Sequence, residues 1–168
     1  MRGGWVVWIT GRPASGKTTL ANAVARRLRG AHRPVVVLDG DEVRQALLPK
    51  LGYSDTDRQQ AYELLARLGA LLARQGLVVL VSATAHRRSY RARAKALAPR
   101  FTEVFVDVAE EECARRDVKG LYAKAKRGRA PRLPGVGVAY QAPLRPRVVA
   151  RGGKDRAAID GIVRALGG

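Results

Sequence analysis

Gly11-Arg12-Pro13-Ala14-Ser15-Gly16-Lys17-Thr18 fits the pattern G-x-x-x-x-G-K-[ST] at every fixed position. Each residue type there has a physical task. The glycines let the backbone curl until successive N–H groups converge on an anion. A helix beginning near Gly16 adds the positive end of its dipole. Lys17 brings a full charge toward the β- and γ-phosphates of a nucleotide, and the Thr18 hydroxyl can ligate Mg²⁺. Such a cradle serves switches and motors as well as transferases. Phosphoryl transfer to an alcohol also needs a group that positions the acceptor hydroxyl and takes its proton. Asp39-Gly40-Asp41 supplies the candidates, with Asp41 as the proton acceptor, acting directly or through a metal-bound water, and Thr18 and Asp41 as metal ligands. The plainer reading has Asp39 closing a turn and Asp41 capping the next helix, which is compatible with catalysis.

These residues need a scaffold, and the hydrophobic pattern predicts one. Trp5–Thr10 reads as a buried strand, followed by the glycines and a helix from about Gly16 to Leu28. Val35–Leu38 is a second strand, and a helix from about Glu42 to Leu48 is interrupted by Pro49. Asp57 is positioned to cap a long helix reaching Arg74, with Tyr62, Leu65, Leu68 and Leu72 on one stripe and Gly76 beyond its end. Leu77–Val81, Val104–Val106 and Val148-Val149 read as further strands, and Ser89–Leu97, Glu110–Asp117 and Ala157–Leu166 as helices. Residues 119–147, rich in Lys, Arg, Gly and Pro, read as a mobile lid. Strands alternating with helices predict an α/β fold: a P-loop NTPase-like parallel sheet with helices on both faces. Ligands in such folds sit beyond the carboxyl ends of the strands, which would put the Gly11 and Asp39 loops side by side.

Composition narrows the partners. The chain has 168 residues, which favours one domain, and its 46% hydrophobic content suffices for a core. Its net charge is +18, and 25 of its 32 basic residues are Arg. Such a field concentrates nucleotides and other anions. Aromatic residues make up only 5% and never interleave with the basic ones as a stacking platform would, so no specific nucleic acid is expected. The single cysteine, Cys113, and two histidines, His32 and His86, make a zinc site implausible. No apolar run suits a membrane helix and no cleavage site follows Trp5–Ile9, so no membrane association and a cytoplasmic location are expected.

Beyond the cradle, several segments make the chain similar to the adenylylsulfate kinases, which phosphorylate the 3′-hydroxyl of adenosine 5′-phosphosulfate (APS) with MgATP. They are Leu38-Asp39-Gly40-Asp41-Glu42-Val43-Arg44, Leu51-Gly52-Tyr53-Ser54 with Asp57-Arg58, Phe101–Val106, and Tyr140-Gln141-Ala142-Pro143. The most specific is Cys113-Ala114-Arg115-Arg116-Asp117-Val118-Lys119-Gly120-Leu121-Tyr122. The resemblance implies that Gly11 and Ala14, Ser15, Gly16, Lys17, Thr18 and Thr19 hold ATP phosphates, with Arg116, Ala142 and Pro143 near its base. On the acceptor side it implies Asp39, Arg44, Tyr53, Arg58, Ala61, Thr84, Ala85, Lys119 and Leu133, with Arg44 and Arg58 gripping the phosphosulfate and Tyr53 stacking on adenine. Asp41 and Lys17 become the catalytic pair, ATP and Mg²⁺ the cofactors, a small molecule the partner, and a homodimer stays open.

The chain departs from the family pattern mainly on the acceptor side. Where the family carries Asn, Ile, Arg, Arg it has Ala61, Tyr62, Glu63 and Leu64. Ile-Ser-Pro-x-Arg becomes Thr84-Ala85-His86-Arg87-Arg88, so a phosphoserine route is closed and direct in-line transfer is expected. Phe-Thr-Gly becomes Leu133-Pro134-Gly135, which removes one aromatic of the adenine clamp. The alternative is a related kinase with another acceptor, a nucleoside, sugar or antibiotic-like metabolite, contacted by Glu63, His86 and Arg87, although a surface position is the plainer expectation for His86. A nucleic-acid-associated protein would instead show salt-dependent RNA or DNA binding, and a pseudokinase is opposed by intact Lys17, Thr18 and Asp41.

Overall fold

The structure, a computed structural model, describes residues 3–117, 120–129, 133, 134 and 137–167. Five strands form one parallel sheet: β1 (Trp5–Gly11), β2 (Val35–Asp39), β3 (Val78–Ser82), β4 (Phe101–Val106) and β7 (Val148–Ala150), in the order β2-β3-β1-β4-β7. The parallel pairs are reached through helices α1 (Lys17–Gly30), α2 (Gly40–Leu47), α3 (Asp55–Arg74), α4 (Arg88–Leu97), α5 (Glu110–Arg115) and α6 (Leu121–Lys126), and α7 (Arg156–Ala165) follows the last strand. Leu133–Pro134 (β5) and Gly137–Val138 (β6) form a separate two-stranded ladder.

Alternation along β1 explains the layering. Val7 and Ile9 point to one face, where they meet Leu20, Val24 and Leu28 of α1 and Ile162 of α7. Val6 and Trp8 point to the other, against Leu65 and Ala66 of α3 and Tyr90 and Ala94 of α4. Strands buried on both faces read as continuous apolar runs, as β1 and β3 do.

Four sequence expectations need correction. The β4 strand begins at Phe101 rather than Val104, because Phe101, Thr102 and Glu103 pair with Val6, Val7 and Trp8. The cap of α3 is Ser54; Asp57 is its third residue and returns the bond, its carboxylate accepting from the Ser54 N–H at 3.1 Å. The stretch 119–147 contains α6, whose short span holds too few apolar residues to display a period. Finally, β1 and β2 are not neighbours. The β3 strand runs between them and ends at Ser82, although the phosphate-loop motif still reaches Asp39 through Thr18.

Candidate active site

The phosphate loop leaves β1 at Gly11 and enters α1 at Lys17. Its curvature uses two left-handed residues, Ala14 at φ 61° and Gly16 at φ 99°. Ala14 adopts that region at a cost of about 1 kcal/mol or more. At Gly16 a side chain is excluded twice, since an added Cβ would lie 2.6 Å from the Gly153 nitrogen. Pro13 O accepts the Tyr122 hydroxyl at 3.0 Å, so α6 braces the loop from outside. The Lys17 ammonium donates to Arg12 O at 2.8 Å, across the concavity it would share with a phosphate. Ser15 is fully buried.

At the next rim position the Thr18 hydroxyl donates to an Asp39 carboxylate oxygen at 2.5 Å and lies 3.1 Å from the Ser82 hydroxyl. Asp39 also caps α2, its other oxygen accepting from the N–H groups of Asp41 and Glu42 at 3.0 and 3.2 Å. The carboxylate standing against Thr18 is therefore Asp39, where the sequence paired Thr18 with Asp41, and the helix-capping aspartate is Asp39 as well. Asp41 lies in the first turn of α2 and lines the cavity.

Beyond α2 the chain forms a cationic wall. Arg44 lies over the Tyr53 ring at 4.2 Å and donates to Leu51 O at 3.1 Å. Arg58, 5.8 Å from the same ring, donates through Nε to Tyr53 O at 3.1 Å. Two guanidiniums thus lie against the Tyr53 ring, each contact worth about 0.5–1 kcal/mol at an exposed ring. Asp57 keeps its carboxyl below the ordinary range, through the Ser54 side-chain and backbone bonds and nearby Arg44. Ala61 and Tyr62 of α3 and Thr84 after β3 complete this wall.

One open cavity of about 1990 Å³ joins these parts. A single small-molecule site occupies about 300–1,000 Å³, so this volume holds a donor and an acceptor together. Its lining adds residues that sequence reasoning missed. Arg151-Gly152-Gly153-Lys154-Asp155 follows β7 and folds against the phosphate loop, Gly153 lying so near Gly16 that neither tolerates a side chain. Asp155 caps α7, accepting from Ala158 N–H at 3.0 Å and from Arg151 N–H at 2.9 Å, and these backbone bonds lower its pKa. Asp117 caps α6 by accepting from the N–H groups of Leu121, Tyr122 and Ala123. The paired glycines and the Asp-x-x-Gly spacing were the available signals. Arg116 lines the cavity and is held by Glu112 at 2.9 Å.

Other predicted site residues lie elsewhere. Ala142 is tied through its carbonyl to Arg88 Nε at 2.8 Å, and neither it nor Pro143 lines this cavity. Ala85 is fully buried, its carbonyl accepting from Arg91 Nη1 at 2.5 Å. Glu63 pairs with Arg67 at 2.7 Å and Arg93 at 2.9 Å, which draws its pKa down to about 2, and Arg87 pairs with Asp55 at 3.1 Å. His86 is buried, not on the surface. Burial, aided by Arg58 and Arg87, holds its pKa down at about 4. None of these three faces the large cavity, so none can serve as its new acceptor contact. Lys119 lies outside the described residues, as does the Leu133 side chain.

A parallel sheet, a glycine-rich loop running into α1, and carboxylates on the adjoining rim define a P-loop phosphotransferase of the α/β class. The family model for adenylylsulphate kinase matches residues 3–151. An adenylyl-sulfate kinase from Chloroflexus aurantiacus is 47% identical over 147 residues, covering 88% of this chain and 79% of that protein. The APS kinase of Mycobacterium tuberculosis, solved in complex with AMPPNP and APS, superimposes with a TM-score of 0.93 at 34% identity, covering 100% of both chains. A gluconokinase from Sinorhizobium meliloti, at 19% identity and a TM-score of 0.61 over 99% of this chain and 96% of its own, shares the fold alone. The chain belongs to the adenylylsulphate kinase family, whose reaction is the ATP-dependent phosphorylation of APS.

Proposed function

We propose that this chain transfers the γ-phosphoryl group of ATP to the 3′-hydroxyl of APS in one in-line step. The observation that carries the reading is a single cavity lined by Lys17 and Thr18, by Asp41, and by Arg44, Tyr53 and Arg58. Backbone N–H groups of the loop and Lys17 bind the phosphates of ATP, and Arg151–Lys154 with Arg116 flank its remainder. Arg44 and Arg58 take the phosphosulfate, where planar charged forks match its oxygens. Tyr53 is largely exposed despite these contacts, which leaves ring surface for the adenine.

Asp41 takes the proton of the 3′-hydroxyl as its oxygen bonds the γ-phosphorus and the bond to the bridging oxygen of ADP breaks. The residues fit magnesium: the Thr18 hydroxyl, Asp39 carboxylate and Ser82 hydroxyl form an all-oxygen donor set. The chemistry a bound magnesium would supply is an offset to the negative charge of the phosphates. Asp39 and Thr18 would hold it, leaving Asp41 to the acceptor.

The test is ATP consumption with Mg²⁺ and APS, read as 3′-phosphorylated product, in the wild type and in Asp41→Asn. Loss of turnover by about 10²-fold or more with ATP binding retained is expected. No product from the wild type overturns the assignment, and normal turnover in Asp41→Asn overturns the role of Asp41.

A further inference from the structure

The acceptor wall contains one tyrosine that the mechanism above does not use. Tyr62 sits on α3 four residues beyond Arg58, on the same helical face, and lines the large cavity. Its ring is fixed from behind, 4.7 Å from the ring of Tyr90, which in turn packs edge-on against buried His86 at 5.6 Å. Arg58 and Asp41 line the same cavity. A phenol beside them has a proton to donate. Arg58 has no acceptor to offer, and a donor aimed at Asp41 would weaken the base.

We propose that Tyr62 is a specificity-determining contact for the acceptor, its O–H donating to the ribose hydroxyl next to the one that Asp41 activates. This rests on the reading of APS as acceptor, where that neighbour is the 2′-hydroxyl. A bond to the neighbour fixes the ribose without withdrawing electrons from the attacking oxygen. The preorganised ring makes the contact inexpensive, since no rotamer has to be frozen on binding.

The test compares the wild type and Tyr62→Phe, each with APS and with its 2′-deoxy analogue, at saturating MgATP. Tyr62→Phe keeps the ring and its packing on Tyr90. It is expected to raise KM for APS about 10-fold, to leave KM for ATP unchanged, and to match the wild type with the 2′-deoxy analogue. The wild type alone gives a second reading, an about 10-fold higher KM for the 2′-deoxy analogue than for APS. Equal KM values for APS in both proteins, or equal losses in Tyr62→Phe with both acceptors, overturn the proposal. Wild-type turnover of APS with an indifferent Tyr62→Phe refutes this contact alone, whereas a wild type inert toward APS removes the assigned reaction and the contact with it.

Discussion

His86 is fully buried, and neither of its ring nitrogens finds a hydrogen-bond partner. The groups facing it are Arg58, Arg87, Arg91, Asp55 and the ring of Tyr90. Burial first, then the arginines, hold its pKa at about 4 against an ordinary 6.5. The folded protein therefore refuses a proton that the unfolded chain accepts as soon as the pH drops below 6.5. Stability is unaffected by this residue above that value, falls by about 1.4 kcal/mol for each pH unit below it, and levels off near pH 4. The accumulated loss is about 3 kcal/mol, which for a chain of this size lowers Tm by about 10 °C. Carboxylates titrate over part of the same range, so the measurement is a difference. Denaturant unfolding of the wild type and His86→Phe at pH 7.5, 6.5, 5.5 and 4.5 isolates the histidine, because Phe keeps the edge contact with Tyr90 and removes the nitrogens. The variant is expected to equal or exceed the wild type at pH 7.5, since it buries no unpaired polar atom. Its advantage should then widen by about 2–3 kcal/mol at pH 4.5. Parallel pH profiles for the two proteins would refute the argument.

Three further substitutions probe the rim. Gly153→Ala sets a methyl group 2.6 Å from the Thr19 Cβ and 2.7 Å from Gly16 O, so the 151–155 loop must lift from the phosphate loop; KM for ATP is expected to rise about 10-fold or more, measured by initial rates. Asp39→Ala removes the α2 cap and the partner of Thr18, costing about 1 kcal/mol in chemical denaturation and raising the Mg²⁺ concentration needed for half-maximal rate. Arg91→Met strips the buried guanidinium from Glu103, Ala85 O and Gln141 O; a loss of about 3–5 kcal/mol is expected from unfolding curves.

Much of the site is legible in the amino-acid sequence, and the reasons are local. Gly11, Gly16, Lys17 and Thr18 are chosen by what a curled backbone and a phosphate demand of single residues, so their types announce them. The strands are legible because burial on both faces leaves nothing but apolar residues, as in Leu77–Val81. Where burial is one-sided the signal fails: Glu103 inside β4 masks half of that strand. Sheet order is also hidden, since nothing in Val78–Ser82 says that it inserts between β1 and β2. His86 lies between Ala85 and Arg87-Arg88, a setting that suggests solvent, yet Arg88 is exposed and Arg87 pairs with Asp55 while the imidazole packs on Tyr90. The Arg151–Asp155 loop matters because of what it touches across the molecule, and no spacing along the chain encodes that approach.

The acceptor-side departures leave the rim intact for a reason visible in its hydrogen bonds. The Thr10 hydroxyl, at the end of β1, donates to Thr84 O at 2.6 Å and meets the Tyr140 hydroxyl at 2.9 Å. Burial raises the Tyr140 pKa to about 12, so that hydroxyl stays neutral at any working pH. Arg91 binds Ala85 O, and Gln141 N donates to His86 O at 2.8 Å. Every bond that fixes residues 84–86 in this network therefore ends on a main-chain carbonyl. The serine-to-alanine and proline-to-histidine changes along that segment remove no group that these carbonyl bonds use. The constraint falls instead on Thr10, Arg91 and Tyr140, so an altered segment over residues 84–86 is compatible with an unaltered reaction.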